Sequence, residues 1–225
     1  MTEAREQIFD AMRKSLGRGV LDEDRRAALD ARISGHARGL VPARDKVDHA
    51  GQVALFLEKL EAVSGTVSRV DSVEGVPGAV AEYLTNNNLP AAFRMAPDPT
   101  LDSIPWDSRP ALDISRGATA GDDLTGLTTA FAAIAETGTL MLLSGPHGPT
   151  TLNFLPSTHV VVLFESQVTG AYEDAWDLLR ALPDMPRTVN LITGPSRTGD
   201  IEQTIYLGAH GPLNLHVVLV ARDPA

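Results

Sequence analysis

Two short runs of apolar residues place the strongest constraint on how this chain can fold. "THVVVLF" covers residues 158–164, and "LNLHVVLVA" covers residues 213–221. Strands that are apolar on both faces occur in parallel sheets covered on both sides, whereas half-exposed strands alternate between apolar and polar residues. The two runs therefore predict an α/β fold with both strands in its core.

The segments around these runs alternate between strand and helix patterns. "GTVSRV" and "AAFRMA" have the pattern of strands, and a helix with proline near its start is predicted over residues 77–84. From residue 129 onward the predicted order is β-β-β-α-β-α-β, with a tight turn at Glu136-Thr137-Gly138. Because the hairpins are added to a βαβ core, the sequence predicts a mixed sheet.

The first quarter of the chain has a helical pattern without long apolar runs. Apolar residues recur every four positions over residues 8–16, and a wider apolar stripe follows over residues 53–60. We therefore predict two parts, a helical N-terminal extension of residues 1–63 and an α/β domain of residues 64–225.

Composition narrows the classes of partner and cofactor. The chain has no cysteine, which excludes disulfides and thiolate-held iron–sulfur clusters within it. Lys and Arg number 19 against 29 Asp and Glu, and the net charge of −10 argues against a nucleic-acid partner. No signal-like apolar run opens the chain and no stretch has the length of a membrane span. The cytoplasm is the expected compartment.

Polar residues gather after the predicted strand "VNLIT", where a helix is predicted to begin between Thr198 and Glu202. Open α/β sheets bind ligands in such loops, because the free N–H groups of helix N-termini point there. The candidate ligand-binding residues are Gly194, Ser196, Arg197, Thr198 and Asp200. Arg197 has the planar geometry that suits a carboxylate or phosphate, but it would have to offset the negative charge of Asp200.

A structural role explains the same residues equally well. Ser196 or Thr198 can cap a helix, and Asp200 and Glu202 in its first turn would interact favourably with the helix dipole. The spacing alone does not decide between a cap and a binding site.

A second cluster lies in "AETGTL", residues 135–140. Thr137 and Thr139 flank Gly138 at the predicted turn, so their backbone amides are candidates for lining a pocket. Glu136 is the candidate catalytic residue, as a general base or nucleophile beside a ligand. The alternative is that Glu136 is only a polar turn residue.

Histidines give a weaker signal, although the pattern G-x-H-G-P occurs twice, around His147 and His210. His210 follows the 194–202 cluster and is a candidate to fold back onto it. No pair of histidines has the i, i+4 spacing of a helical metal motif, and no metal site is predicted. Dinucleotide, P-loop and serine-hydrolase motifs are absent from the sequence.

Four ordered motifs carry a resemblance to a known family. "AETGT", "LPSTH", "GPSRTGDIE" and "GAHGP" together resemble the lactate utilization protein C family, whose shared module is called the LUD domain. The resemblance is dense from about residue 122 to the end. It implies a Rossmann-like three-layer α/β fold of the sugar-phosphate isomerase and CoA-transferase type. By position, Thr137, Gly138, Thr139, Gly194, Ser196, Thr198, Asp200 and His210 match the family motifs.

The resemblance also implies a role in bacterial oxidation of L-lactate to pyruvate beside iron–sulfur partner proteins. This chain would be the non-redox component, with the clusters in its partners and no cofactor of its own. We expect a small carboxylate as ligand, no nucleic acid and no membrane span, and we leave assembly into a homo-oligomer open.

Two other functions remain open at this stage. The first is a stand-alone transferase or isomerase that acts on a CoA thioester or sugar phosphate through Glu136, which rests on fold analogy alone. The second is a scaffold whose polar loops serve only protein contacts.

Overall fold

A computed structural model describes residues 2–17, 19, 21–43, 46–199 and 204–223. By its contacts the chain divides into two compact units, residues 1–40 and 41–225. The helices are α1 Thr2–Ser15, α2 Glu23–Ser34, α3 His49–Ala62, α4 Val76–Asn86, α5 Pro99–Asp102 and α6 Tyr172–Arg180. The strands are β1 Thr66–Val70, β2 Ala92–Met95, β3 Asp113–Arg116, β4 Thr125–Thr129, β5 Ala132–Ile134, β6 Thr139–Leu143, β7 Thr158–Phe164, β8 Val168–Thr169, β9 Val189–Ile192, β10 Arg197–Thr198, β11 Tyr206–Leu207 and β12 Asn214–Val220.

The first unit consists of helices α1 and α2. Asp22 caps α2 by accepting a hydrogen bond of 2.8 Å from the backbone N–H of Arg25. The apolar residues spaced at four positions on α1, among them Ile8 and Met12, are exposed. This unit therefore has no buried core of its own among its described residues.

The second unit is built on a six-stranded sheet with the order β1-β12-β7-β4-β2-β3. Every neighbouring pair in it is parallel. All seven residues of β7 are buried, as the sequence predicts for a strand covered on both faces. An α/β fold with a central parallel sheet flanked by helices is confirmed.

The two faces of this sheet have different covers. Helix α4 packs on one face, where Val80 and Leu84 contact residues such as Val160 and Val218. Helix α3 packs on the other face through Phe56 and Leu60. The alternation of even and odd positions along β7 and β12 between the two clusters follows from the period of a strand.

The antiparallel pairs predicted for the second half form a separate sheet of four strands, β8-β5-β6-β9. β5 and β6 pair antiparallel about the predicted turn at Glu136-Thr137-Gly138, and β9 pairs antiparallel with β6. Its inner face joins the core beneath α3, and α6 packs on its outer face. The prediction that hairpins are added to the βαβ core is therefore wrong in its connectivity: the central sheet is wholly parallel, and the mixed sheet is the smaller one, where β5 pairs parallel with β8 and antiparallel with β6.

The C-terminal end of α3 is held by two glycines of the motif loops. Gly138 has φ +68°, and a Cβ there would lie 2.4 Å from the backbone nitrogen of Leu60. Gly194 has φ +74°, and its Cβ would lie 2.7 Å from the carbonyl oxygen of Val63. Only glycine allows both the left-handed backbone and the close approach. The sequence places α3 in the extension of residues 1–63, whereas it packs here on the core of the second unit; the two-domain boundary stays a prediction.

We expect Gly138→Ala to lower the free energy of unfolding of the second unit by at least about 2 kcal/mol. The added methyl group meets helix backbone, which cannot move aside as a flexible side chain can. Urea denaturation followed by circular dichroism measures the change. Gly117→Ala is the matched control, because Gly117 also has positive φ but nothing lies within 4 Å of its Cβ position. An equal loss of stability in both variants would contradict the close-packing account.

Candidate functional site

The polar stretch after β9 folds differently from its prediction. β9 belongs to the smaller sheet, so the loop does not follow a strand of the parallel sheet. Arg197 and Thr198 form strand β10, which pairs antiparallel with Tyr206 and Leu207 of β11. A helix start at Thr198 is therefore wrong, and Asp200 and Glu202 lie outside the described residues. On the described residues, backbone pairing of Arg197 and Thr198 with β11 takes the place of a helix start at Thr198.

This ribbon brings His210 beside the loop, as the sequence predicts. The backbone N–H of Ser196 donates to the carbonyl of Pro212 at 2.9 Å, and the N–H of Gly208 donates to the carbonyl of Ser196 at 3.0 Å. These bonds hold the two motif segments against each other. Gly194, Ser196, Arg197 and His210 consequently share the wall of one cavity of about 260 Å³, which we call the ribbon cavity.

Two buried polar side chains complete the wall of the ribbon cavity, His159 and Asn153. His159 is fully buried and Asn153 is 4% exposed. The Nε2 of His159 lies 2.8 Å from the hydroxyl of Thr128, while its Nδ1 has no hydrogen-bond partner in the part of the chain that the structure describes. A buried polar atom without a partner is uncommon and indicates a place where a ligand or water supplies the missing bond.

Burial also sets the charge of His159. Removal from water disfavours the imidazolium and lowers the pKa of His159 to about 3. The ring is therefore neutral at pH 7, with one nitrogen donating and the other accepting. In the sequence, His159 appears as the last residue of the family motif "LPSTH", without a site role. The sequence feature that could have identified His159 is its position as a polar residue inside the otherwise apolar run "THVVVLF". No comparable feature of the sequence identifies Asn153.

Arg197 has a structural role in addition to its place in the cavity wall. Its Nη2 donates to the carbonyl oxygen of Val63 at 2.9 Å and to the hydroxyl of Ser64 at 2.5 Å. Both acceptors follow the last turn of α3, where a cation also interacts favourably with the helix dipole. Part of the guanidinium thus holds the C-terminal end of α3 in place, next to the point where Gly194 approaches Val63.

The 136–139 loop forms a network of hydroxyl groups rather than a wall of the ribbon cavity. Thr139 Oγ1 lies 2.6 Å from Thr137 Oγ1, 3.0 Å from the Tyr172 hydroxyl and 2.6 Å from Thr193 Oγ1. Thr139 is fully buried. The network connects this loop to Thr193, the residue before the polar stretch, so the two sequence clusters are neighbours in space.

Glu136 is half-buried, and its backbone N–H donates to the carbonyl of Gly170 at 3.0 Å. It does not line the ribbon cavity. Its catalytic role stays a prediction, as does ligand contact by Thr137, Gly138, Thr139 and Thr198. Among the described residues no three His, Asp or Glu side chains converge on a metal position. No helix in that part of the chain has the length and apolarity to cross a membrane.

The fold and this cavity define an α/β protein with a small site whose wall combines apolar and polar side chains. A model of the LUD domain family matches residues 53–220, so the chain belongs to the LUD domain family. An uncharacterized protein of Neisseria meningitidis serogroup B is 38% identical over 44% of this chain and 42% of its own length. Lactate utilization protein C of Anoxybacillus flavithermus is 30% identical over 53% of each chain. The chain spans about half the length of the curated relatives it matches.

The fold also has a crystallographic counterpart. A DUF162 family protein from Deinococcus radiodurans superposes with a TM-score of 0.58 at 22% sequence identity. The match covers 77% of this chain and 99% of that one. At this identity the likeness establishes the shared fold and nothing about ligands.

We expect acid to destabilise the second unit between about pH 6.5 and pH 4, because two histidines are buried in the neutral form. Burial lowers the pKa of His159 to about 3 and that of His216 to about 4. In the unfolded chain both rings bind protons near their ordinary pKa of 6.5, so the unfolded state gains protons first as pH falls. Stability is complete above pH 6.5 and declines by about 1.4 kcal/mol per pH unit for each histidine.

The measurement is the free energy of unfolding by urea at several pH values. His216→Gln removes one of the two titrating groups. We expect it to reduce the slope of the unfolding free energy against pH by the contribution of about one proton. His49→Gln changes an exposed histidine and serves as the control. A slope that is the same in His216→Gln and in the unsubstituted protein would show that the buried ring does not set the acid response.

Proposed function

We propose that this chain acts in lactate utilization as the non-redox component of a system that oxidises L-lactate to pyruvate. The observation that carries the proposal is membership of the LUD domain family together with relatives named lactate utilization protein C. A chain without cysteine holds no thiolate-ligated cluster, so the redox centres of such a system belong to iron–sulfur partner proteins. The role of this chain is then to bind and present a small carboxylate.

The ribbon cavity has the chemistry that a small carboxylate requires. When Thr128 donates to Nε2 of neutral His159, the proton of the ring lies on Nδ1 and is available to a ligand oxygen. The amide of Asn153 and the hydroxyl of Ser196 add donors on the same wall. Donors in a site with little water are worth more to an anion than exposed ones.

The charge of Arg197 supports the same ligand class. The Nη2 of Arg197 is already hydrogen-bonded to Val63 and Ser64. We therefore propose that Arg197 acts on the ligand through its charge rather than through bidentate hydrogen bonds. A positive charge beside a partly buried carboxylate stabilises the ionised form even without contact. This explains how one arginine can fasten α3 and also favour an anion.

The first experiment is calorimetric titration of the purified chain with L-lactate, pyruvate and L-lactamide. We expect saturable binding of at least one acid and much weaker binding of lactamide, which keeps the shape of lactate but lacks the carboxylate. His210→Ala should weaken acid binding several-fold because His210 lines the cavity. His49→Ala, an exposed histidine elsewhere, is the control. Equal binding of lactate and lactamide would refute a carboxylate site.

The proposed action beside iron–sulfur partner proteins is tested by a second experiment. Purified iron–sulfur lactate utilization proteins are mixed with L-lactate, with and without this chain, and bleaching of the cluster absorbance is followed. We expect lactate-dependent bleaching to be faster when the chain is present. If the rate is the same with and without it, this chain is not a component of the oxidising system.

A further inference from the structure

A second cavity of about 280 Å³ lies at the carboxyl ends of three parallel strands. Thr129 is the last residue of β4, Phe164 is the last residue of β7, and Asp98 follows shortly after β2. Ligands of open α/β sheets bind at this edge, outside the carboxyl ends of the strands. We call it the carboxyl-end cavity. It is the position that sequence reasoning assigned to the 194–202 loop, which the structure places elsewhere.

One wall of the carboxyl-end cavity is rich in hydrogen-bond acceptors. Asp98 accepts a very short hydrogen bond from the hydroxyl of Thr129, and its Oδ1 accepts from the backbone N–H of Thr100 at 2.8 Å. A carboxylate has about four acceptor positions, so these two bonds leave others for a ligand. The bonds also fix the orientation of the carboxylate toward the cavity that it lines.

His147 adds a second acceptor with a defined tautomer. Its Nδ1 lies 2.8 Å from the carbonyl oxygen of Pro97. A carbonyl only accepts, so Nδ1 carries the proton, and in the neutral ring Nε2 keeps a lone pair. His147 and Asp98 therefore present basic atoms from neighbouring points of the same wall.

The remaining walls supply donors and an apolar surface. The buried amide of Asn153 brings both donors and an acceptor. Phe131, Leu142 and Phe164 provide an apolar side. Among the described residues that line the cavity there is no lysine or arginine, so nothing there balances the carboxylate of Asp98 against an incoming anion.

We propose that the carboxyl-end cavity is a second binding site, for a small neutral polyol or sugar. A hydroxyl group both donates and accepts, so several hydroxyls satisfy Asp98, His147 and Asn153 together. An ammonium ion accepts nothing and would leave the Asn153 donors unpaired, and an anion would face Asp98 without a compensating cation. The carbon skeleton of a polyol lies against the apolar side. This cavity shares only Asn153 with the ribbon cavity, and the proposal does not rest on lactate binding.

The test is an NMR titration of the full chain with glycerol, erythritol, D-ribose and D-glucose. The probe signal is the imidazole of His147, assigned by its absence from the spectrum of His147→Gln. We expect a saturable shift with at least one of the four compounds, and weaker binding of ethanolamine and D-ribose 5-phosphate. In Asp98→Asn the dissociation constant should rise about tenfold, the cost of losing hydrogen bonds to a charged acceptor.

The matched control is Asp107→Asn, an exposed acid outside the cavity, which should leave the dissociation constant unchanged. The proposal is overturned if none of the four compounds gives a saturable shift, if Asp98→Asn binds as tightly as the unsubstituted protein, or if either charged compound binds more tightly. Binding of lactate to Asp98→Asn is measured in a separate titration, because it tests the proposed function and not the polyol site. A chain that binds no lactate but binds a polyol would contradict the proposed function alone.

Discussion

The need to cover both faces of the central strands governs the rest of the structure. β7 and β12 are buried along almost their whole length, and neither face of the sheet they form can be left in water. Helix α4 covers one face. The other face is covered jointly by α3 and the four-stranded sheet. The motif glycines Gly138 and Gly194 lie in loops of the smaller sheet, at the points where these loops approach the C-terminal end of α3.

Fastening of α3 and formation of the ribbon cavity are parts of one arrangement. Gly194 approaches the backbone at Val63, and Arg197 donates to the same residue. Arg197 also begins β10, whose pairing with β11 places the chain near His210. A loop held this tightly at one side can present a defined wall at the other, which is what a preorganised site requires. The structural role of Arg197 in holding α3 is thus compatible with the ligand-binding role proposed for it.

The two cavities meet at a shared polar wall. Asn153 lines both, Thr128 lines the carboxyl-end cavity, and His159 lines the ribbon cavity. A hydrogen bond of 2.8 Å joins Thr128 to His159. Polar groups linked in this way polarise one another in a medium of low dielectric. The two proposed sites are therefore joined by the shared side chain of Asn153 and by the hydrogen bond between Thr128 and His159.

By itself the sequence determined the elements that depend on local pattern. The apolar runs indicated buried strands, the turn at Glu136–Gly138 was found where the pattern breaks, and the ordered motifs identified the LUD domain family. Tertiary structure decided which strands pair, that the antiparallel strands form a second sheet, and that Arg197 and Thr198 pair in a ribbon instead of opening a helix. Periodicity reports which face of an element is buried, but not against which partner. His159 and Asn153 became candidates only once packing had removed their side chains from water, because burial is a property of the assembled fold.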